Sequence, residues 1–506
     1  MRKEKSLKNL LTSVIPYIAL TILGFLRLKV LLEKLGVEIY ALNQVFINIF
    51  AYISLAEAGI GTLVTQLYYK HFVSNDKEKI NVIYSTSQHV LKIISVIMIG
   101  VGIVISFFLK LLTKNSLSLI YMQIVFMLYL LRSVMEYLMY APRFVLTADQ
   151  KAYKVNLEIN VYRILEIIAE IIILQFYQNY AVILLSSIVI RYISYYRANR
   201  IAKKEYPWLH TVKERVQIKG MGSVIAHKVA GTVYSNTDIL LTSAFLEPLQ
   251  VTIYSSYNYI IKFINDFIYM FAAAITASMG NVLYKDDLSK QKEVFEKINS
   301  IFIFLAMALC VPLYWCIDAF IKLWLGADKI VENITLILML LTLYTSITTR
   351  PFLVIRDAKA LYKESRIVAI LEALINLILS IILIKKFGLT GAVFATIVAT
   401  SFTTNIFYPI YVYKKIFNTS SIKYFAKFLI SILLSVGICY LMRYVNLVDI
   451  SNNYLQWFIF SAIGFTLSGV VIFIINYLAS NSFRDFINES LKNVISKIRK
   501  KNEKAN

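Results

Sequence analysis

Between Leu128 and Tyr140 the chain reads LYLLRSVMEYLMY, an apolar run interrupted by Arg132 and Glu136 one helical turn apart. Similar interruptions recur along the sequence, and at helical spacing they fall into faces. In segment 13–32, Ser13, Tyr17, Thr21, Gly24 and Arg27 share one side, whereas Lys29 falls on the other. Segment 223–242 repeats the arrangement with Ser223, His227, Gly231, Tyr234, Asp238 and Thr242, with Lys228 at the edge of the arc. Tyr254, Asn258, Lys262, Asn265 and Tyr269 align further on, with Asp266 beside them. Thr342, Ser346, Thr349 and Arg350 stand directly before Pro351. A guanidinium fork matches phosphate oxygens, so Arg27, Arg132, Lys262, Arg350 and Lys228 are the candidate cations for an anionic substrate. Asp238, Glu57, Glu136 and Asp266 are the candidate coupling groups or counter-ions. The bland alternative is that Arg132 and Glu136, like Lys262 and Asp266, neutralise one another at i, i+4. No phosphate-binding glycine loop, no histidine pair at ligand spacing and no nucleophile-and-base pattern is present. Neither a catalytic site nor a metal or cofactor is expected.

The elements that must position these residues follow from composition. Of 506 residues, 58% are hydrophobic and only 16% charged, with a mean hydropathy of +0.65. Soluble chains carry roughly 25% charged residues, so the fold class expected is an all-α polytopic membrane protein. Helices long enough to cross a bilayer are expected near 8–32, 39–69, 84–109, 118–147, 156–178, 181–197, 219–246, 250–280, 297–323, 333–361, 365–385, 388–413, 422–442 and 455–479. That makes about fourteen. The basic start MRKEKSLK leads into a full-length apolar segment, which reads as a retained helix rather than a cleaved signal.

A net charge of +23 would suit nucleic acid if it were concentrated, but here it is spread over short loops. About 36 Lys and Arg fall on the side holding both termini and about 7 on the other, which predicts cytoplasmic termini. Anionic lipids are the default partner of such loops, and no nucleic-acid partner is expected. Residues 483–498 space Phe483, Phe486, Ile487, Leu491, Val494, Ile495 and Ile498 as an amphipathic helix for the inner leaflet.

SVIPYIALT at 13–21 and SVIAHKVAG at 223–231 begin alike, and the spans after them begin GVEIYALNQ and QVTIYSSYN. A duplicated six-helix unit accounts for both matches. The expected organisation is an N-terminal bundle (1–197), a basic cytoplasmic loop (198–218), a C-terminal bundle (219–416), two further spans (417–480) and a basic tail (481–506). Repeated bundles that rock about a shared midplane site are a common design of secondary transporters.

Four runs, NTDILLTSAFLEPLQVTIYSSYNYI (236–260), LEKLGVEIYALNQ (32–44), LAEAGIGTLV (55–64) and RPFLVIRDAKALYK (350–363), carry a family resemblance. In order and position, the sequence resembles the Wzx-type O-antigen and capsule repeat-unit flippases of the multidrug/oligosaccharidyl-lipid/polysaccharide (MOP) exporter superfamily. The resemblance implies two six-helix bundles forming a V, plus two C-terminal helices, in a bacterial cytoplasmic membrane. It implies alternating access for an undecaprenyl-pyrophosphate-linked oligosaccharide, driven by an H+ or Na+ gradient or the membrane potential, alongside polysaccharide polymerase and chain-length machinery. By the resemblance, Asp238 matches an acidic position of the seventh span, and Arg27 and Lys262 match cavity-facing basic positions. The competing expectations are a lipid II flippase and a cation-coupled drug exporter of the same superfamily, the latter needing an acidic cavity. A membrane glycan polymerase or acyltransferase would need a sizeable external loop, and QFYQNY, LEPLQ and KKFGL are all short.

Overall fold

A computed structural model describes residues 2–502 apart from 58–59, 218–220, 443, 445 and 451. Side chains are described outside 2–11, 13, 56–60, 62, 221–228, 234–235, 277, 285, 450, 493–494 and 497–502. The described residues are mainly helical: α1 (Arg2–Ile53), α2 (Ile60–Val73), α3 (Lys77–Phe107), α4 (Leu119–Leu138), α5 (Ala141–Ala148), α6 (Tyr153–Phe176), α7 (Tyr180–Glu205), α8 (Met221–Phe245), α9 (Pro248–Lys285), α10 (Leu288–Leu325), α11 (Asn333–Ala358), α12 (Tyr362–Phe402), α13 (Thr404–Tyr411), α14 (Ile422–Met442), α15 (Tyr454–Ala479) and α16 (Asn481–Asn502). Many of these helices start where the sequence supplies a cap. Asp76, Ser118, Asn179, Asp287 and Asn453 each accept a hydrogen bond from a first-turn N–H with their side chains.

Among the described residues, ten helical stretches are long and apolar enough to cross a bilayer. Two of them are the longest, Val14–Ile53 with 40 residues and Tyr362–Ile416 with 55, and as unbroken helix they would measure about 60 and 80 Å, against ~30 Å of hydrocarbon. Both are interrupted at a glycine. Gly36 has φ 80° and ψ 174°, and Gly388 has φ 56° and ψ −136°, backbone that side-chain-bearing residues rarely adopt. With each arm taken as a span, and with α6 and α8 added, every one of the fourteen expected crossings coincides with a helix. The second expected span (39–69) differs in detail, because α1 passes through a 3-10 turn at Ser54–Glu57 before α2 begins.

The chain forms two compact units, Met1–Ser255 and Ser256–Asn506. In the first unit α1 packs on α6 and α8, α6 on α7, and α4 on α3 and α7. The two helices carrying the repeated segment, α1 and α8, therefore lie side by side. In the second unit α10 is the hub, touching α11, α14, α15 and α16. Its buried face includes Phe302, Ala306, Met307, Cys310 and Ile317. Small residues let α15 approach it: Ser461, Gly464 and Ser468 are buried, and a Cβ on Gly464 would lie 2.2 Å from the Trp315 ring. The outer faces of α14 and α15 leave Leu433, Leu441, Leu455, Phe458 and Leu467 exposed, which is stable only against lipid tails. The helix α16 docks by Phe483, whose ring meets Phe304 and Phe473, while Leu491 and Ile495 stay exposed.

Outside the spans, Lys151 lies 2.6 Å from Asp149 and 2.8 Å from Glu205. Burial alone would lower the pKa of its amine, but the hydrogen bonds to the two carboxylates outweigh it and raise the value. This cluster ties the start of α6 to the end of α7.

Candidate functional site

In the first unit, α6 supplies the carboxylates that the arginines of its neighbours answer. Its sequence EIIAE places Glu166 and Glu170 one turn apart on the same face, and both are buried. Arg27 of α1 donates through Nε to Glu170. Arg132 of α4 lies 3.6 Å from Glu166, donates to Ser187 Oγ at 3.2 Å, and covers the ring of Tyr129 at 4.1 Å. Ser187 in turn donates to Glu166. Arg191 of α7 donates through Nε to both oxygens of Glu166 at 2.9 Å. Glu136 completes the series, 3.9 Å from Arg191 and 3.7 Å from Arg143.

Arg132 and Glu136 thus share a helical face but do not pair; each finds its counter-charge on another element. Arg143 is buried between the rings of Tyr140 and Tyr195, at 4.7 and 4.5 Å, and its Nε and Nη2 have no hydrogen-bond partner among the described residues. Four guanidiniums therefore face three carboxylates. The inner members, Arg132, Glu166 and Glu170, are sealed, whereas the side chains of Arg27, Arg191 and Glu136 each keep about a quarter of their surface accessible. An anion reaching that edge would compete with carboxylates for guanidinium forks.

Asp238 of α8 is also buried in this unit and accepts a 3.2 Å hydrogen bond from Tyr254. Next to it, Thr237 and Tyr52 share a 2.6 Å hydrogen bond that ties α8 to α1. The side chains of Glu57 and Lys228 lie outside the described residues.

In the second unit Lys297 and Arg356 are paired with carboxylates, but two cations on another face, Lys262 and Arg350, are not in direct ion pairs among the described residues. Arg350 of α11 donates to Asn265 Oδ1 at 3.4 Å and lies 5.2 Å from the ring centre of Tyr269, both on α9. Asn265 also accepts from Ser346 at 3.0 Å. Arg350 Nε is buried with no hydrogen-bond partner among the described residues. Lys262 stands one turn before Asn265 on the same helix and is exposed, while Asp266 is half-buried. Among the described residues, neither Lys262 nor Arg350 has a carboxylate within ion-pair distance. Arg350, Asn265, Tyr269 and Lys262 share one polar face, to which α11 contributes from just ahead of its Pro351.

Four groups of the network escape the sequence reading: Glu166, Glu170, Arg143 and Arg191. The signal for the first two was there, since two glutamates four apart inside LEIIAEIIIL are as costly in lipid as Arg132. Outside that network, in the second unit, Glu372 of α12 is also buried and accepts from the hydroxyls of Thr403 and Thr404. Those two threonines form the break between α12 and α13, where Thr403 leaves helical geometry (φ −118°, ψ −92°).

The structure matches the lipid II flippase MurJ in its inward closed conformation with a TM-score of 0.70, at 17% identity over 94% of this chain and 100% of that one. The fold is that of the MOP transporters. A multidrug resistance MATE family transporter of the MOP superfamily, in its inward-facing conformation, matches with a TM-score of 0.58 at 13% identity over 86% of this chain and 99% of its own. A MOP superfamily transporter from Pyrococcus furiosus, described as having a binding pocket of reverse polarity, matches at 0.50, with 14% identity over 87% and 96%. No family model and no curated protein matches the sequence. This fold, together with the ten stretches among the described residues that are long and apolar enough to cross a bilayer, supports a multi-pass membrane protein.

Proposed function

We propose that this chain flips undecaprenyl-pyrophosphate-linked oligosaccharide repeat units across the bacterial cytoplasmic membrane, by alternating access, for surface polysaccharide synthesis. The observation that carries the reading is the cationic face of Lys262 and Arg350 in the second unit, where neither is in ion-pair contact with a carboxylate among the described residues. Exposed Lys262 adds a second cation to the face of Arg350, which is half-buried without such a contact, a costly state at membrane depth that an anion would relieve. A pyrophosphate has the oxygens to do so, and Tyr269 offers a flat surface beside it for a sugar ring. Arg27 and Arg191, held by carboxylates at an accessible edge, are the groups in the first unit that a headgroup would draw away from Glu170 and Glu166. Asp238 and Glu136 are the candidate coupling groups, with an H+ or Na+ gradient or the membrane potential as driving force.

The test is transport of a fluorescent, short-chain polyprenyl-pyrophosphate oligosaccharide into vesicles containing the purified protein. The changes Lys262→Ala and Arg350→Ala should each lower the rate at least tenfold while leaving the protein in the membrane. Unchanged rates in both variants would remove the proposal. A second reading, a flippase for lipid II, is favoured by the likeness to MurJ. Growth of a strain depleted of its own lipid II flippase would select it. A drug exporter is disfavoured by the sign of the Lys262 and Arg350 face, and uptake of a cationic dye would favour it instead.

A further inference from the structure

A groove of about 400 Å³ opens between the first turns of α12 and the whole of α13. Its wall is apolar, with Leu371, Phe402, Ile406 and Ile410 all exposed along it. At one end it meets Lys414 and Lys415, which sit in a π-helical turn, Val412–Ile416, following α13. Both lysines are exposed, and among the described residues neither has a carboxylate within ion-pair distance. Irregular turns of this type are often found at functional sites. Thr403 also borders the groove, but its hydroxyl is already bonded to Glu372 and to the Ala399 carbonyl, so it makes no polar demand on an occupant.

We infer that this groove binds an anionic phospholipid, with one acyl chain along Leu371, Phe402, Ile406 and Ile410 and the phosphate at Lys414 and Lys415. Charge complementarity selects the headgroup. A zwitterionic lipid would fill the groove equally well but would bring its own cation next to two unneutralised ammonium groups. The size agrees with a small-molecule site, for which about 300–1,000 Å³ is usual. The stretch α12–α13 is part of one of the membrane-crossing stretches, so the groove lies where lipid is the solvent. The occupant is distinct from the transported substrate proposed above, and the inference does not depend on that function.

Brominated lipids quench tryptophan only at contact distance, which gives a direct probe. The full-length Ile406→Trp protein in vesicles of dioleoylphosphatidylcholine would be compared with the parent, whose four tryptophans supply the background. Dibrominated phosphatidylglycerol should quench the added signal at a mole fraction roughly tenfold lower than dibrominated phosphatidylcholine, as expected for two basic residues at a membrane surface. Changing Lys414→Gln and Lys415→Gln together should abolish the preference, and Lys414→Arg with Lys415→Arg should keep it. Equal quenching by both lipids would overturn the inference, leaving only unselective boundary lipid. Displacement of phosphatidylglycerol by undecaprenyl phosphate at a tenfold lower concentration would also overturn it, assigning the groove to the isoprenoid instead.

Discussion

Arg132 and Glu136 are neighbours on one helix, yet Glu166 answers the first, and Arg143 and Arg191 answer the second. This distinguishes two kinds of intramembrane charge at the residue scale. Charges in the first unit stabilise by mutual compensation, so removing one partner leaves another buried and alone. Glu166→Ala should cost about 3–5 kcal/mol, because buried Arg132 loses its carboxylate and Arg191 is left with only the 3.9 Å contact to Glu136. A fall in the thermal unfolding midpoint of the detergent-solubilised protein would record it. Lys262 and Arg350 should behave in the opposite way. Replacing either with alanine removes no ion pair, so the midpoint should change little while transport fails. If Arg350→Ala destabilised as severely as Glu166→Ala, Arg350 would have to be counted as structural.

At the scale of elements, the break at Gly388 turns one helical stretch into two membrane spans. Gly391 stands so close to the chain before the break that a Cβ there would lie 2.1 Å from the Leu383 carbonyl oxygen. Backbone cannot yield as a flexible side chain can. Gly391→Ala should therefore lower the amount of folded protein in the membrane severely. Gly388→Ala should cost at least about 1–2 kcal/mol, from its positive φ alone. Gly437 is the control: a Cβ on it meets nothing within 4 Å, and alanine there should be neutral or slightly stabilising. Equal tolerance at all three glycines, measured as membrane-inserted yield, would show that the reversal at Gly388 does not limit folding.

At the scale of the whole molecule, the expected fourteen crossings would put both termini on one face, and the lysine and arginine distribution predicts that this face is cytoplasmic. Asn75, Ser116 and Asn418 are exposed in turns between spans and make suitable reporters. With Cys310, Cys316 and Cys439 replaced by alanine, Ser116→Cys should react with an impermeant maleimide added outside intact cells. Asn75→Cys and Asn418→Cys should react only after the cells are opened. The reverse pattern would invert the orientation, and a mixed pattern would change the number of crossings.

Much of this was legible before any coordinates, because a bilayer imposes a strong filter on sequence. Each span must satisfy its own backbone as a helix and keep its surface apolar, so composition and run length alone gave an all-helical membrane fold with about fourteen crossings. Helical spacing likewise placed Arg27, Arg132, Lys262 and Arg350 on polar faces. What it left open was the partner of each charge. Periodicity fixes direction around one helix axis, but an ion pair depends on the rotation, depth and distance of a second helix, and those are set by packing. Hence α6, which spacing alone had not singled out, proves to hold the carboxylates for Arg27, Arg132 and Arg191. Only the tertiary structure separated those paired arginines from Lys262 and Arg350, because compensation is a property of neighbouring helices and not of a face.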